Sequence, residues 1–335
     1  MDSKYILGID VAKDSLVIYD TGTKEQHQVA NTDEDLKQFI TAHISNKTEY
    51  TVGLESTGDY SLLPMKIFVE AGCKVRLLNP ILTQSAIKRT VRGTKTDTTD
   101  SQLIAKLTSE GEGYEITKNS LDIKKKALIR TERKLSGLQS DVKRLVLSLG
   151  QKQKAGVDLS SAAEIMKQLV QDIETAHDKL WEAIFSEANT ELQKQETIIN
   201  SHIGCGAKLS AIISSEAGDI RRFASAKQLI AYAGIDPKVI QSGNMNARGR
   251  MTKRGNNNLR HALFLASYVA SRHDPQLKDY YQKKRDDGKH HTVAVCAVAR
   301  KMCERIYSTV TRDTLYERRE VVKEQNPLST GSDLT

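Results

Sequence analysis

Leu121, Leu128, Leu135, Val142 and Leu149 recur every seven residues, with Leu138 and Leu145 three residues after two of them. A seam of that period can be buried only along a long α-helix, because a strand returns side chains to one face at every second residue. It also divides the 335-residue chain into a part before the seam and a part after it. Gly150 and Gly156 are expected to interrupt the helix, and Ser161-Ala162-Ala163-Glu164 reads as a capping box. Ile165, Leu169, Ile173, Ala176 and Leu180 then resume an apolar stripe at helical spacing. The simplest reading of residues 116–200 is a helical hairpin, either paired within the chain or dimerising as a coiled coil.

Before the seam, apolar runs alternate with polar turns. Tyr5-Ile6-Leu7-Gly8-Ile9 and Ser15-Leu16-Val17-Ile18-Tyr19, separated at Lys13-Asp14, predict an antiparallel hairpin. A helix over Asp33 to Ile44, a strand over Tyr50 to Leu54, a helix over Tyr60 to Ala71 and a strand over Lys74 to Leu78 follow. Further helices are expected over Pro80 to Arg89 and Asp97 to Leu107, which makes residues 1–115 a mixed α/β domain. After the seam, Ile203-Gly204-Cys205-Gly206 opens a helix to Ala217. Helices over Gln228 to Ala233, Leu259 to Ala270 and Thr292 to Val310 make residues 201–318 a mainly helical domain. Residues 319–335 lack apolar periodicity and are expected to form a flexible tail. The expected fold class is α/β plus α.

Composition excludes several classes. Charged residues make up 27% and the mean hydropathy is -0.47, as in soluble globular proteins. No apolar run approaches the ~20 residues of a membrane span. Met1-Asp2-Ser3-Lys4 places an acid where a signal peptide is basic, so a cytoplasmic protein with no membrane partner is expected. Cys73, Cys205, Cys296 and Cys303 form no C-x-x-C pair, which argues for reduced, mostly buried thiols over zinc or redox motifs. The net charge of +8 is unevenly spread: residues 1–115 carry −4, residues 116–200 carry +2 and residues 201–335 carry +10. The basic last part implies a polyanionic partner, the acidic first part a cation.

Four acids stand out. Asp10 and Glu55 end predicted strands, and Asp97 and Asp100, three apart, share one face of a predicted helix. If the two strands are neighbours, four carboxylates converge on one sheet edge. Such a cluster repels itself unless hard, oxygen-preferring divalent ions occupy it, Mg²⁺ above all, with Mn²⁺ able to substitute. Two ions about 3.5–4 Å apart would clamp the attacking and leaving oxygens of a phosphodiester. Each acid alone reads more simply as a turn former or helix cap. Only the set points to a site, because charge placed directly after apolar strands costs free energy unless it binds something.

Between Pro237 and His273 the chain carries Lys238, Arg248, Arg250, Lys253, Arg254, Arg260 and Arg272 and no acid. Glycines among these cations suit a phosphate backbone, although a solvated basic loop has the same composition. Ser242-Gly243 by itself reads as a turn. The Gly204-Cys205-Gly206 turn resembles a helix-hairpin-helix, or equally a plain turn. His290-His291 and Cys296/Cys303 lack zinc-ligand spacing.

Taken in order, Gly8-Ile9-Asp10-Val11-Ala12-Lys13, Glu55-Ser56-Thr57-Gly58, Asn79-Pro80, Lys95-Thr96-Asp97-Thr98-Thr99-Asp100, Gln241-Ser242-Gly243, Arg248-Gly249-Arg250 and Lys253-Arg254-Gly255-Asn256 form a pattern. It resembles the DEDD transposases of bacterial insertion sequences, a group that includes Piv-type DNA invertases and bridge-RNA-guided recombinases. The resemblance runs from about residue 5 to 312. It implies an N-terminal RuvC-like domain of ribonuclease H fold, a coiled-coil segment and a C-terminal transposase domain with a nucleophilic serine. On this resemblance Asp10, Glu55, Asp97 and Asp100 match the metal-binding tetrad and Ser242 matches the serine. The implied partners are donor and target DNA, a structured noncoding guide RNA and further copies of the chain as a homodimer or homotetramer, acting at the nucleoid. The sequence departs from the pattern at Ser101, where alanine is common, and at Ser201-His202-Ile203-Gly204, which lacks a proline before the glycine.

Three other readings remain open at this level. A junction-resolving nuclease would use the same carboxylates with metal-activated water. An actin-like or sugar-kinase ATPase would share the opening strands, but Val11-Ala12-Lys13 lacks the glycines that hold phosphate there. A non-catalytic nucleic-acid scaffold would need neither acids nor serine.

Overall fold

The computed structural model describes residues 4–55, 59–78, 83, 97–116, 123–187, 190–242, 245–251 and 255–318, without the side chains of 97–99, 190–191 and 237–250. The chain divides into two compact units, Met1–Glu191 and Leu192–Thr335.

In the first unit, β1 (Tyr5–Val11), β2 (Ser15–Asp20), β3 (Gln26–Ala30), β4 (Tyr50–Glu55), β5 (Lys74–Leu78) and β6 (Tyr114–Ile116) form one sheet in the order β3-β2-β1-β4-β5-β6. The pairs β1–β4 and β4–β5 are parallel and the rest antiparallel. Parallel neighbours need crossovers, here α1 (Asp33–His43) and α2 (Leu62–Glu70), while α3 (Asp97–Ser109) precedes β6. Thr32 caps α1 by accepting from the Asp35 N–H, and three acids occupy the first turn, where the helix dipole favours them.

The mixed sheet agrees with the sequence reading, and β3 and β6 are additions to it. β3 reads Gln-His-Gln-Val-Ala, a polar edge strand with too little apolar alternation to be seen. The helix expected over Pro80 to Arg89 and the tail over 319–335 lie outside the described residues, Thr83 excepted. Leu7, Ile9, Val52 and Leu54 face a core completed by Leu36, Phe39 and Ile40 of α1 and Met65 and Phe68 of α2. By strand alternation Gly8, Asp10, Gly53 and Glu55 face the other way.

The seam forms α4 (Ile123–Lys154), which pairs with α5 (Ser160–Ser186). Contacts fix an antiparallel register: Lys124 pairs with Glu187, Trp181 Nε1 donates to Glu132 at 3.1 Å, and Lys143 Nζ meets Glu174 at 3.1 Å. Two expectations are corrected. Gly150 does not interrupt the helix; the break comes at Gly156, which has φ +86°. The capping box does not form either, because α5 begins two residues earlier, with Leu159 and not Ser161 at the N-cap. There the Asp158 carboxylate accepts from Ser160 N and Oγ at 3.1 and 2.8 Å, which holds its pKa below the ordinary carboxylate value. Leu128, Leu135, Val142 and Leu149 are half-buried, whereas Leu138 and Leu145 are 57% and 54% exposed.

The second unit contains α6 (Thr190–Asn200), α7 (Ala207–Ala217), α8 (Ala226–Ala233), β7 (Pro237–Ser242), β8 (Met245–Met251), α9 (Asn257–His273), α10 (Pro275–Asp286) and α11 (His291–Arg312). Its core gathers Ile213, Leu263, Ala266, Val298, Met302 and Ile306. The unit is mainly helical, as expected, and the β7–β8 hairpin, which occupies the basic segment, is an addition to that reading. α10 was hidden by its polar composition; Asp274 caps it, accepting from Leu277 N at 2.8 Å. Gly204 has φ +97°, and a Cβ there would lie 2.2 Å from the Ala266 carbonyl, so its role is close packing on α9. Burial pushes the Cys73 thiol up to about 11 and the Cys205 thiol up to about 12, in keeping with inert thiols.

A polar cluster ties this unit together. Arg305 donates to Asp274 at 3.3 Å and to Gln276 at 2.7 Å, Tyr316 also bonds Asp274, and His202 stacks on Tyr316 with its Nε2 2.8 Å from Thr309 Oγ1. Burial, reinforced by Arg305 and opposed by Asp274, depresses the His202 pKa to about 4. The imidazole therefore stays neutral in the folded state while the unfolded chain protonates near pH 6.5. Stability from this group is present above pH 6.5 and is lost as pH falls toward 4. Between pH 7 and pH 5 the loss should be roughly 2 kcal/mol. Urea titrations at the two pH values check this, and a His202→Gln variant should show a flatter dependence.

Candidate functional site

The site is set by two glycines. Gly8 and Gly53 are partners across the parallel β1–β4 pair, on the face away from α1 and α2. α3 lies directly on them. A Cβ at Gly8 would sit 2.1 Å from the Ser101 carbonyl and 2.4 Å from Ala105 N, and one at Gly53 would sit 1.9 Å from Thr108 Oγ1. No other residue type permits this approach without displacement. Ile104 and Leu107 of α3 pack with Leu78 beneath the helix.

Two residues beyond each glycine, on the same face, stand Asp10 and Glu55. Their strands are in register up to Ile9↔Leu54, so the next positions are neighbours, about 4.8 Å apart at the backbone. α3 runs with Ser101 over Gly8 and Thr108 over Gly53, so it crosses the sheet from β1 toward β4, and its N-terminal end, with Asp97 and Asp100, lies on the β1 side. That end carries the positive pole of the helix dipole, which favours acids. Asp10, Glu55 and Asp100 are half-buried, and the side chain of Asp97 lies outside the described residues. Among the described residues no three His, Cys, Asp or Glu side chains are grouped closely enough to hold a metal. The donor set the four acids would offer is all oxygen, the kind a hard divalent cation takes.

Several supporting residues escaped the sequence reading. Buried Thr83 donates to Glu55 Oε2 at 3.1 Å. Asn31 Nδ2 donates to the carbonyls of Ala12 and Tyr60, both at 3.2 Å, and so clips the chain after β1 to the chain after β4. Arg130 of α4 meets Asp59 at 3.7 Å. Thr and Asn at such spacings are common turn residues, so nothing in the sequence marked them. Ser101, the departure from alanine, is fully buried and receives Gln26 Nε2 at 3.4 Å, which accommodates its hydroxyl.

In the other unit, Ser242 ends β7, paired in register with Met245 at the start of β8. It is thus at the tip of the hairpin, a place suited to presenting a short side chain. The side chains of Ser242, Lys238, Arg248 and Arg250 are outside the described residues, as are Lys253 and Arg254 altogether. Arg260, read as a nucleic-acid contact, donates to the Ala233 carbonyl at 3.1 Å and to Asn257 at 2.8 Å.

Comparison with known proteins covers both units. Residues 7–152 match the DEDD family of IS110 described as "Transposase", and residues 196–282 match the "Transposase IS116/IS110/IS902 family". The pilin gene-inverting protein of Moraxella bovis is 24% identical over 327 residues, covering 95% of this chain and 99% of the relative. The transposase for insertion sequence element IS1111A of Coxiella burnetii is 24% identical over 341 residues, covering 93% and 91%. An insertion element IS900 protein of Mycobacterium paratuberculosis is 34% identical over 120 residues, 36% of this chain. The matches to the IS900 protein and to an insertion element IS110 protein of Streptomyces coelicolor each span 30% of the relative's length.

Proposed function

The chain belongs to the DEDD transposase family of IS110-type insertion sequences, and from that membership we propose that it cuts and exchanges DNA strands through a serine-linked intermediate. The observation that carries the reading is the parallel β1–β4 pairing, which sets Asp10 and Glu55 side by side at one end of the sheet, with α3, which carries Asp97 and Asp100, seated on the same face over Gly8 and Gly53. The strand order β3-β2-β1-β4-β5 supports a RuvC-like ribonuclease H fold for this part. Asp10, Glu55, Asp97 and Asp100 would hold Mg²⁺ or Mn²⁺, and the metal would supply Lewis-acid stabilisation of charge on the phosphate oxygens.

Ser242 is the nucleophile. Its Oγ forms a bond to phosphorus as the deoxyribose oxygen leaves; the serine proton is released and the leaving oxygen takes one up. One phosphoester is exchanged for another, so the reverse step can join a new strand without an external energy source. The Lys238, Arg248, Arg250, Lys253 and Arg254 side chains neutralise DNA phosphates around the hairpin, with Arg260 bracing its base. The family resemblance adds a structured guide RNA that chooses donor and target DNA, and strand exchange through a Holliday junction. A relative covering nearly the whole chain is named for gene inversion, which favours exchange over simple cutting. Leu138 and Leu145, exposed at a heptad spacing, support self-association as a dimer or tetramer. No helix among the described residues is long and apolar enough to cross a membrane.

The test is a denaturing gel of the wild-type chain with Mg²⁺ and labelled duplex carrying the ends of its insertion sequence. A slow band that collapses on protease treatment is expected. Cut strands with free ends and no such band would instead establish the junction-resolving reading, with water as nucleophile.

A further inference from the structure

The last turn of a helix is an unfavourable place for a buried acid. α7 ends at Ala217, its terminal carbonyls carry the negative end of the helix dipole, and Glu216 is fully buried there. The carboxylate receives two amides from the segment that follows the β7–β8 hairpin. Asn256 Nδ2 donates to Oε2 at 2.8 Å, and Asn258 Nδ2 donates to Oε1 at 2.7 Å. Asn256 is held further by its own N–H, which donates to the Tyr232 carbonyl at 2.8 Å. Its Oδ1 accepts from the N–H groups of Asn258 and Leu259 at 2.9 and 3.0 Å. Tyr232 Oη closes a ring by donating to the Glu216 carbonyl at 3.2 Å.

Both roots of the hairpin meet this ring. On the exit side, a Cβ at Gly255 would lie 2.4 Å from the Tyr232 carbonyl and 2.7 Å from Gly234 N, so the chain leaving β8 is pressed against the end of α8. On the entry side, Gly234 ends α8 in the left-handed conformation, φ +70° and ψ +33°, and turns the chain toward β7. We infer that Glu216 is a positioning residue for strand exchange: its carboxylate pins the exit root of the β7–β8 hairpin while its backbone carbonyl holds Tyr232 of the helix that leads into β7, and so it fixes where Ser242 is presented. The inference rests on Ser242 being the nucleophile. A carboxylate suits the place because the two amides that meet it are donors and it has no proton of its own to set against them.

The test compares the full-length wild type with Glu216→Ala and Glu216→Gln, using hydrogen exchange and the adduct assay on duplex carrying the element's ends. Glu216→Ala should speed exchange of the 237–251 amides at least about tenfold while amides of α11 change less than about twofold, a pattern of local opening. Glu216→Gln, which keeps the shape and one acceptor, should recover most of the protection. The rate of adduct formation at saturating DNA should fall about tenfold with the half-saturating DNA concentration unchanged, because the loss is of positioning and not of binding. Equal acceleration in α11, or hairpin opening without loss of adduct rate, would overturn the inference. Should Glu216→Ala fail to fold, Asn258→Ala removes one of the two donors and the same comparisons apply. A Ser242→Ala control that still forms adduct would defeat the nucleophile reading alone, leaving the exchange data to judge the clamp.

Discussion

Ser242→Ala should bind duplex DNA as the wild type does and lose covalent adduct and recombination together, by a factor on the order of 10⁴ or more. The substitution removes one oxygen from the end of β7 and leaves the Val239↔Arg248 and Ile240↔Ala247 pairing untouched, so the hairpin should persist. No other hydroxyl residue occurs between Pro237 and Met251 to take over attack on phosphorus. Asp10→Asn is the complementary variant. It keeps the serine but weakens the carboxylate set at the β1–β4 edge, and its adduct rate should fall by about 10³-fold, partly restored by raising Mn²⁺. Binding measured by salt-dependent gel shift separates both from misfolded protein. Recombination by Ser242→Ala at more than a few per cent of the wild-type rate would rule out the serine mechanism.

What the sequence revealed follows the range of the interactions involved. The β1–β2 hairpin, β4, β5 and the helices α1 to α3 were readable because each rests on local apolar periodicity. Asp10 and Glu55 could be placed at strand ends, but their adjacency depends on β1 pairing with β4 across the whole β2–β3–α1 excursion, which no local pattern encodes. β3 is missed because a polar edge strand carries no stripe, and β6 because its three residues, Tyr114–Ile116, are too few to show one. Gly150 was misread as a helix stop, since glycine in an otherwise strong helix costs only about 1 kcal/mol and a 32-residue helix absorbs it. The basic segment was readable as a phosphate ligand from charge alone, whereas its β-hairpin form was obscured by Gly, Asn and Arg, which are weak strand formers. Glu216 could not have been found. Its partners Asn256 and Asn258 are 40 and 42 residues away, and an acid in the last turn of a predicted helix looks like an ordinary surface residue.

Gly8→Ala should destabilise the first unit by about 3 kcal/mol or more and abolish strand cleavage, even though a single methyl is added. The atoms in its way are the Ser101 carbonyl at 2.1 Å and Ala105 N at 2.4 Å, both backbone of α3, so no rotamer change relieves the clash and the helix itself has to lift. Lifting it strips Ile104 and Leu107 from Leu78 and displaces the helix that carries Asp97 and Asp100, which on the proposed function couples the loss of stability to the loss of the site. Gly53→Ala meets a side chain instead, Thr108 Oγ1, which is bonded to the Ile104 carbonyl at 2.7 Å; it should cost less, roughly 1–3 kcal/mol. Gly137 supplies the contrast. It lies within α4 with nothing near its Cβ position, so Gly137→Ala should stabilise by up to about 1 kcal/mol through helix propensity. The three variants carry the same added methyl, and urea denaturation should order them Gly8→Ala, Gly53→Ala, Gly137→Ala from least to most stable. A Gly8→Ala protein within about 0.5 kcal/mol of wild type, the range of an ordinary surface change, would mean that α3 is not seated on β1. The carboxylates would then lack the scaffold that brings them together.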